Sequence, residues 1–205
     1  MTVISIKAFD KKRSEVLTDE GLRFVLYNTE ISKLKLAENA EIPEEIRAEI
    51  LTVLLPKRAK LRAMNLLKAR DYTESRLRQK LIEGGYPEET VEEALAYVAS
   101  YGYVDDARYA RSYISSRMST ASRRRIETDL LQRGINAEII NAAFEELYAD
   151  ELLAGEDPEL SQIRRQMEKK HIDPETATWE EKQKFLASMA RRGFSPEKVR
   201  RIFNG

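Results

Sequence analysis

Along the chain the pattern of hydrophobic and polar positions changes period once, near residue 29. Before it, "VISIKAF" (3–9) and "LRFVLY" (22–27) are short β-branched and aromatic runs, set off by "DKK" and "TDEG", which read as turns. Two or three short antiparallel strands are expected there. Beyond Thr29 the apolar residues recur at helical spacing: Ile31 and Leu34, then Ile46, Ile50 and Leu54, with Pro43 suited to open a helix. Pro56 is expected to interrupt, and a long helix to run from about Lys57 to Ala69.

From Leu77 onward the chain repeats itself. Three segments align without gaps on a glycine: "LRQKLIEGGYPEETVEEAL" (77–95), "IETDLLQRGINAEIINAAF" (126–144) and "FLASMARRGFSPEKVRRIF" (185–203). Eight residues before Gly85, Gly134 and Gly193 stand Leu77, Ile126 and Phe185; four before, Leu81, Leu130 and Met189. One after come Tyr86, Ile135 and Phe194; six after, Val91, Ile140 and Val199; ten after, Leu95, Phe144 and Phe203. Each copy reads as a helix closed by a glycine in the left-handed conformation, an apolar residue turned inward, and a new helix opened by Pro87, Asn136 or Ser195-Pro196. Room remains upstream of each pair for a further helix, over 57–69, about 105–118 and about 158–171. The expected fold is mainly α: tandem three-helix bundles in an elongated arrangement, with a small N-terminal β-hairpin/α extension. The expected boundaries are 1–55 for the extension and 56–104, 105–150 and 151–205 for the repeats. Units this small have little core of their own, so packing between neighbours should matter.

Composition narrows the function. Of 205 residues, 35 are basic and 35 acidic, so net charge points to no partner and only local clustering can. The absence of cysteine excludes disulfides and thiolate metal sites and agrees with a cytoplasmic protein. The N-terminus reaches charge by Lys7, and no apolar run approaches the roughly 18 residues of a membrane span. One histidine, His171, cannot build a metal cluster or a nucleophile pair, and no phosphate-binding glycine loop is present. No enzyme, cofactor or metal is expected.

"YGYVDDARYARSY" (101–113) offers the one carboxylate pair that looks catalytic. Adjacent helical residues project about 100° apart, so Asp105 and Asp106 share a proton or a metal poorly. They suit a helix start instead, with Tyr109, Ala110, Tyr113 and Ile114 inward and Arg108 and Arg111 outward. If its ring is as buried as a core Phe, Tyr113→Ala should cost roughly 3–5 kcal/mol. In "LLKARDYTESRLRQKL" (66–81), Thr73 caps the second helix, Tyr72 reads as core, and Arg70, Arg76, Arg78 and Lys80 as exposed. Trp179, after the cap residue Thr178, reads as a core or inter-unit packing residue.

Charge is segregated. Lys57 to Lys80 holds nine basic residues against two acids, Asp71 and Glu74; Arg108 to Arg125 holds six arginines and no acid, ending in Arg123, Arg124 and Arg125. The third unit gathers Lys182, Lys184, Arg191, Arg192, Lys198, Arg200 and Arg201 around Glu197. Acids collect in "PEETVEEA", "AFEEL" and "ADELLAGEDPEL". Two readings stay open: ordinary solvated helix faces, or a face for nucleic acid or for an acidic protein groove.

The blocks "ARDYTESRLRQKLIEGGYPEETVEEAL", "YGYVDDARYARSYISSR" and "LLQRGINAEIINAAF" resemble the RecX family, bacterial regulators of the recombinase RecA. Arg70, Asp71, Tyr72 and Thr73 match the start of its Arg-Asp-Tyr-Ser-x-x-Glu-Leu pattern, with Arg76 in the place of the acid before Leu77. Gly102 to Ala110 matches its Gly-Tyr-x-Asp-Asp-x-Arg-(Tyr/Phe)-Ala signature. The resemblance covers about residues 57–205. "STASRRRI" departs from the family's Lys-Gly-x-x-Arg-Ile by losing the glycine and gaining arginine.

The resemblance implies a non-enzymatic modulator. It would lodge in the groove of the RecA filament on DNA and restrain ATPase, strand-exchange and coprotease activities. Partners would be RecA and single- or double-stranded DNA, with no membrane, the protein itself a monomer. Contact residues by charge and position are Arg70, Arg76, Arg78, Lys80, Arg108, Arg111, Arg123, Arg124 and Arg125. The structural signature is Asp71, Tyr72, Gly85, Gly102, Asp105, Asp106, Tyr109, Tyr113, Gly134 and Gly193. Reversing Arg123, Arg124 and Arg125 to glutamate should weaken filament binding with helix content unchanged. Two other classes compete. A helix-turn-helix-like DNA-binding protein acting directly on nucleic acid conflicts in unit one with Glu88, Glu89, Glu92 and Glu93 on its third helix, whereas unit three, with Lys198, Arg200 and Arg201, stays open to that reading. A plain helical scaffold would show no salt-sensitive binding to single-stranded DNA.

Overall fold

The computed structural model describes residues 1–149, 153, 155 and 157–204; the expected boundary between the second and third repeats lies outside them. The chain forms two compact units, Met1–Asp105 and Asp106–Gly205.

The first unit opens with β1 (Val3–Ala8), β2 (Arg13–Thr18) and β3 (Arg23–Tyr27), an antiparallel meander in which Ile6 faces Val16 and Val16 faces Phe24. Period-2 alternation puts Val16, Phe24 and Leu26 into one core with Leu36, Ile42, Ile50 and Leu55. A short helix, α1 (Asn28–Lys33), comes next. Then α2 (Glu44–Ala48), a π-helical stretch (Glu49–Leu54) and α3 (Leu55–Ala69) run on without a break.

Pro56 therefore does not interrupt the helix. A proline lacks the amide hydrogen and crowds the carbonyl four residues back, here that of Thr52. The widened π turn meets both problems: Leu55 N–H donates to the Ile50 carbonyl, five residues back, and the helix passes through the proline. Leu55 lies in the core of the N-terminal sheet while Ala59 and Ala63 lie in that of repeat 1, so this one helix belongs to both.

Repeat 1 continues with α4 (Glu74–Ile82) and α5 (Glu88–Ser100). In the second unit, α6 (Asp106–Arg117), α7 (Arg123–Leu131) and α8 (Ala137–Leu147) form repeat 2. Repeat 3 is α9 (Pro158–Lys169), α10 (Trp179–Arg191) and α11 (Pro196–Asn204).

The aligned columns are the cores. Leu77, Ile126 and Phe185 are buried, as are Leu81, Leu130 and Met189, and Val91, Ile140 and Val199. Gly85, Gly134 and Gly193 have φ of 84°, 80° and 89°. Thr73, Asn136 and Thr178 cap helices where the sequence puts them, accepting the amides of Arg76, Glu138 and Glu181, and Ser122 adds a further cap, accepting that of Arg125.

Trp179 does not pack inward; it is 75% exposed. It lies six residues before Phe185, about 120° around the helix from Phe185 and about 80° from Met189, outside the stripe that repeat 3 buries. Among the described residues no helix is long and apolar enough to cross a membrane.

Candidate interaction surface

The stretch 101–113 is a junction. Gly102, at φ 67°, lies two residues past the end of α5, its amide donating to the Ala99 carbonyl at 2.8 Å. Asp105 immediately precedes α6 and Asp106 is its first residue. Ala110 and Ile114 are the buried residues of α6, while Tyr109 and Tyr113 stack at 6.4 Å on the shoulder of the core. Tyr113 is half-buried: its hydroxyl donates to Asp129 Oδ2 at 3.0 Å, and the guanidiniums of Arg133 and Arg117 lie 4.5 and 5.5 Å from its ring centre. Burial and that hydrogen bond raise its pKa. Tyr113→Ala therefore costs less than truncating a core Phe (roughly 3–5 kcal/mol): about 2 kcal/mol, of which about 1 is the hydrogen bond that Tyr113→Phe alone removes. Urea denaturation of both variants checks this, and a loss for Tyr113→Ala as large as for Ile114→Ala contradicts it.

Some of the segregated charges meet one another. Lys60 Nζ lies 2.6 Å from Glu93, and Arg78 bridges Glu74, at 2.8 Å, and Glu92. Lys80 pairs with Glu83 at 2.7 Å and Arg111 with Glu146 at 3.6 Å. The basic second helix of repeat 1 thus faces its acidic third helix. Lys198 Nζ sits between Asp157 and Glu159, at 2.8 and 2.7 Å. Burial pushes the Asp157 carboxyl up, but the hydrogen bonds from Lys198 and from the Glu159 amide outweigh it and hold it below the usual range.

Of the arginine run, Arg123 donates to Asn141 Oδ1 at 3.0 Å and covers the Phe144 ring, and Arg125 pairs with Asp129 at 3.5 Å. Arg124 is exposed and makes no ion pair among the described residues. Arg70 is exposed with its guanidinium 4.7 Å from the centre of the half-buried Tyr72 ring. Asp71, Arg76 and Arg108 are also exposed.

The departing loop "STASRRRI" is held by repeat 3. Ser122 is fully buried; its amide donates to the Arg192 carbonyl at 3.1 Å while its hydroxyl caps α7. Gln166 donates to the Ser119 carbonyl and accepts from Arg192 at 2.6 Å, and Gln162 donates to the Tyr148 hydroxyl. Hydrogen bonds therefore join repeats 2 and 3.

In the first unit the docking runs through Gly85. Val25 N–H, on the outer edge of β3, donates to the Gly85 carbonyl at 3.1 Å. Nearby, Arg58 pairs with Glu30 and lies 4.5 Å from the Tyr27 ring centre. Tyr86 packs against both the sheet core and the repeat core, and that burial raises its pKa.

Among the described residues no group of three or more His, Cys, Asp or Glu side chains could hold a metal ion. Sequence reasoning missed a row of tyrosines at the end of α5. Tyr97 and Tyr101 lie 5.0 Å apart, and Tyr101 and Tyr103 stack at 5.8 Å. The signal for Tyr101 and Tyr103 was their position beyond Val98, the last buried residue of that helix.

The fold and this surface define a class: a tandem array of three-helix units that offers exposed cations and rings. Family models for the first, second and third three-helix domains of RecX match residues 59–97, 105–143 and 157–203. Regulatory protein RecX of Caldanaerobacter subterraneus subsp. tengcongensis is 31% identical over 200 residues, spanning 97% of this chain and 96% of that one. That of Yersinia enterocolitica is 32% identical over 70% of this chain and 94% of its own. A crystal structure of regulatory protein RecX covers 100% of this chain and 99% of its own at TM-score 0.56 and 24% identity, a likeness of fold. That of RecX from Lactobacillus salivarius covers 73% and 95% at TM-score 0.55 and 21% identity. The chain belongs to the RecX family and shares its role as a regulatory protein.

Proposed function

We propose that this protein binds the RecA recombinase and its filament on DNA and restrains its ATPase, strand-exchange and coprotease activities by surface contact, without catalysis. The observation that carries the reading is the match to a named regulatory protein along 97% of the chain, all three helical domains included. The candidate contact residues are Arg70, Arg76, Arg78, Lys80, Arg108, Arg111, Arg123, Arg124 and Arg125, of which Arg70, Arg76, Arg108, Arg123, Arg124 and Arg125 are exposed. Arg78, Lys80, Arg111 and Arg125 also pair with acids of their own fold, and Arg123 with Asn141.

The protein acts in the cytoplasm as a monomer, with single- or double-stranded DNA as a second partner. Direct groove reading by the third helix of repeat 1 is disfavoured, because Glu88, Glu89, Glu92 and Glu93 are all exposed there and would face phosphates. The test is RecA's DNA-dependent ATPase at rising ratios of this protein: inhibition supports the reading, and an unchanged rate contradicts it.

A further inference from the structure

The tyrosine row on repeat 1 is built outward. Tyr101 is 60% and Tyr103 52% exposed, and neither belongs to the repeat-1 core, which Val98 and Val104 complete on either side. Their rings are within 14° of parallel at 5.8 Å between centres. Tyr97 extends the row on the other side of Tyr101, tilted by 58°. Exposed side chains in a short turn gain little from lining up. What the alignment provides is a flat π-face in a fixed orientation, with a cation beside it: Lys60 Nζ lies 5.3 Å from the Tyr97 ring centre.

Lys60 sits on α3, which carries Lys57, Arg58, Lys60, Arg62 and Lys68 and no acid between residues 55 and 69. Lys60 and Arg58 are paired with Glu93 and Glu30, while Lys57, Arg62 and Lys68 are exposed. An aromatic row beside a cationic helix combines the two elements of single-strand recognition, bases stacked on rings and phosphates tracked by positive charge.

We propose that Tyr101 and Tyr103 form a stacking platform for the bases of single-stranded nucleic acid, with the phosphates led along α3. This deepens, and rests on, the reading that DNA is a partner of this protein. The spacing fixes the mode. A base slotted between the two rings needs about 7 Å, twice the ~3.5 Å carbon contact distance, and they are 5.8 Å apart. The base therefore stacks on an outer face, and Tyr103, at the end of the row, is where it lands. Stacking on a π-face tolerates any base, so the platform has no sequence preference.

The experiment measures binding of the full-length protein, without RecA, to a fluorescent oligothymidylate and to an abasic oligomer of the same length and charge. The wild type is expected to prefer the oligothymidylate about tenfold, Tyr101→Ala/Tyr103→Ala to lose that preference, and Tyr101→Phe/Tyr103→Phe to keep it. Equal binding of both oligomers by the wild type overturns the inference and needs no variant. So does an alanine variant that keeps the preference. The ATPase titration with RecA is a separate measurement: a wild type that inhibits the ATPase but binds both oligomers equally sinks the platform alone, and one that prefers the oligothymidylate but leaves the ATPase unchanged sinks the RecA reading alone.

Discussion

Gly85→Ala is expected to destabilise the first unit by about 2–5 kcal/mol, while Gly102→Ala, at a similar backbone angle, costs only about 1–2 kcal/mol. Both glycines are left-handed, with φ of 84° and 67°, so both substitutions carry the strain of a side chain in that region. They differ in space. A Cβ on Gly102 meets nothing within 4 Å, whereas one on Gly85 falls 2.0 Å from Val25 Cγ2 and 2.7 Å from Val25 Cβ. Rotating the valine moves the methyl but not its Cβ, so strand and turn must part. Parting them breaks the hydrogen bond from Val25 to the Gly85 carbonyl and bares the edge of β3. Urea denaturation followed by circular dichroism compares the two variants, and equal losses would mean that the sheet does not dock on this turn.

Arg124→Glu is expected to weaken filament binding by about tenfold or more while leaving the fold as stable as before or slightly more so. Arg124 is the second residue of α7, whose first turn carries three arginines and no acid. Positive charge is unfavourable there, and a glutamate gains about 0.3–1 kcal/mol from the helix dipole. Binding moves the other way, because a phosphate or carboxylate contact becomes a repulsion. If the partner is phosphate, the slope of log affinity against log salt also falls by about one.

Reversing all three arginines is a poorer test than the sequence suggests. Arg123→Glu removes the bond to Asn141 and the cover over Phe144, so α7 and α8 lose packing along with charge. Titration of RecA filaments with wild-type and Arg124→Glu protein, beside thermal melts of each, separates the effects. Unchanged affinity at moderate salt would remove Arg124 from the contact set.

What was legible in the sequence was what is local and repeated. The columns around Gly85, Gly134 and Gly193 named most of the core, because a helix ended by a left-handed glycine and restarted at a cap leaves the same signature each time. The junction at 101–113 was legible for the same reason.

What was not legible depends on partners distant in sequence or on small adjustments of the backbone. Pro56 stops a regular α-helix, and nothing in its neighbours announces the π turn that carries the chain through it. Trp179 looked like core by residue type, although its angle from Phe185 already placed it outside the stripe. The basic runs left two readings open, solvated faces or a binding face. The acidic counterparts of Lys60, Arg78 and Arg111 lie some 14 to 35 residues away, in "PEETVEEA" and "AFEEL", and these pairs join helices within a repeat.

The central proposal is that the protein regulates RecA through its surface. The most direct measurement is the steady-state ATPase of the RecA from the same organism on single-stranded DNA, with this protein titrated from sub- to superstoichiometric ratios. The predicted result is a rate that falls with each addition, and a titration displaced to higher ratios for Arg124→Glu. A rate that stays flat for the wild-type protein across the whole range contradicts it.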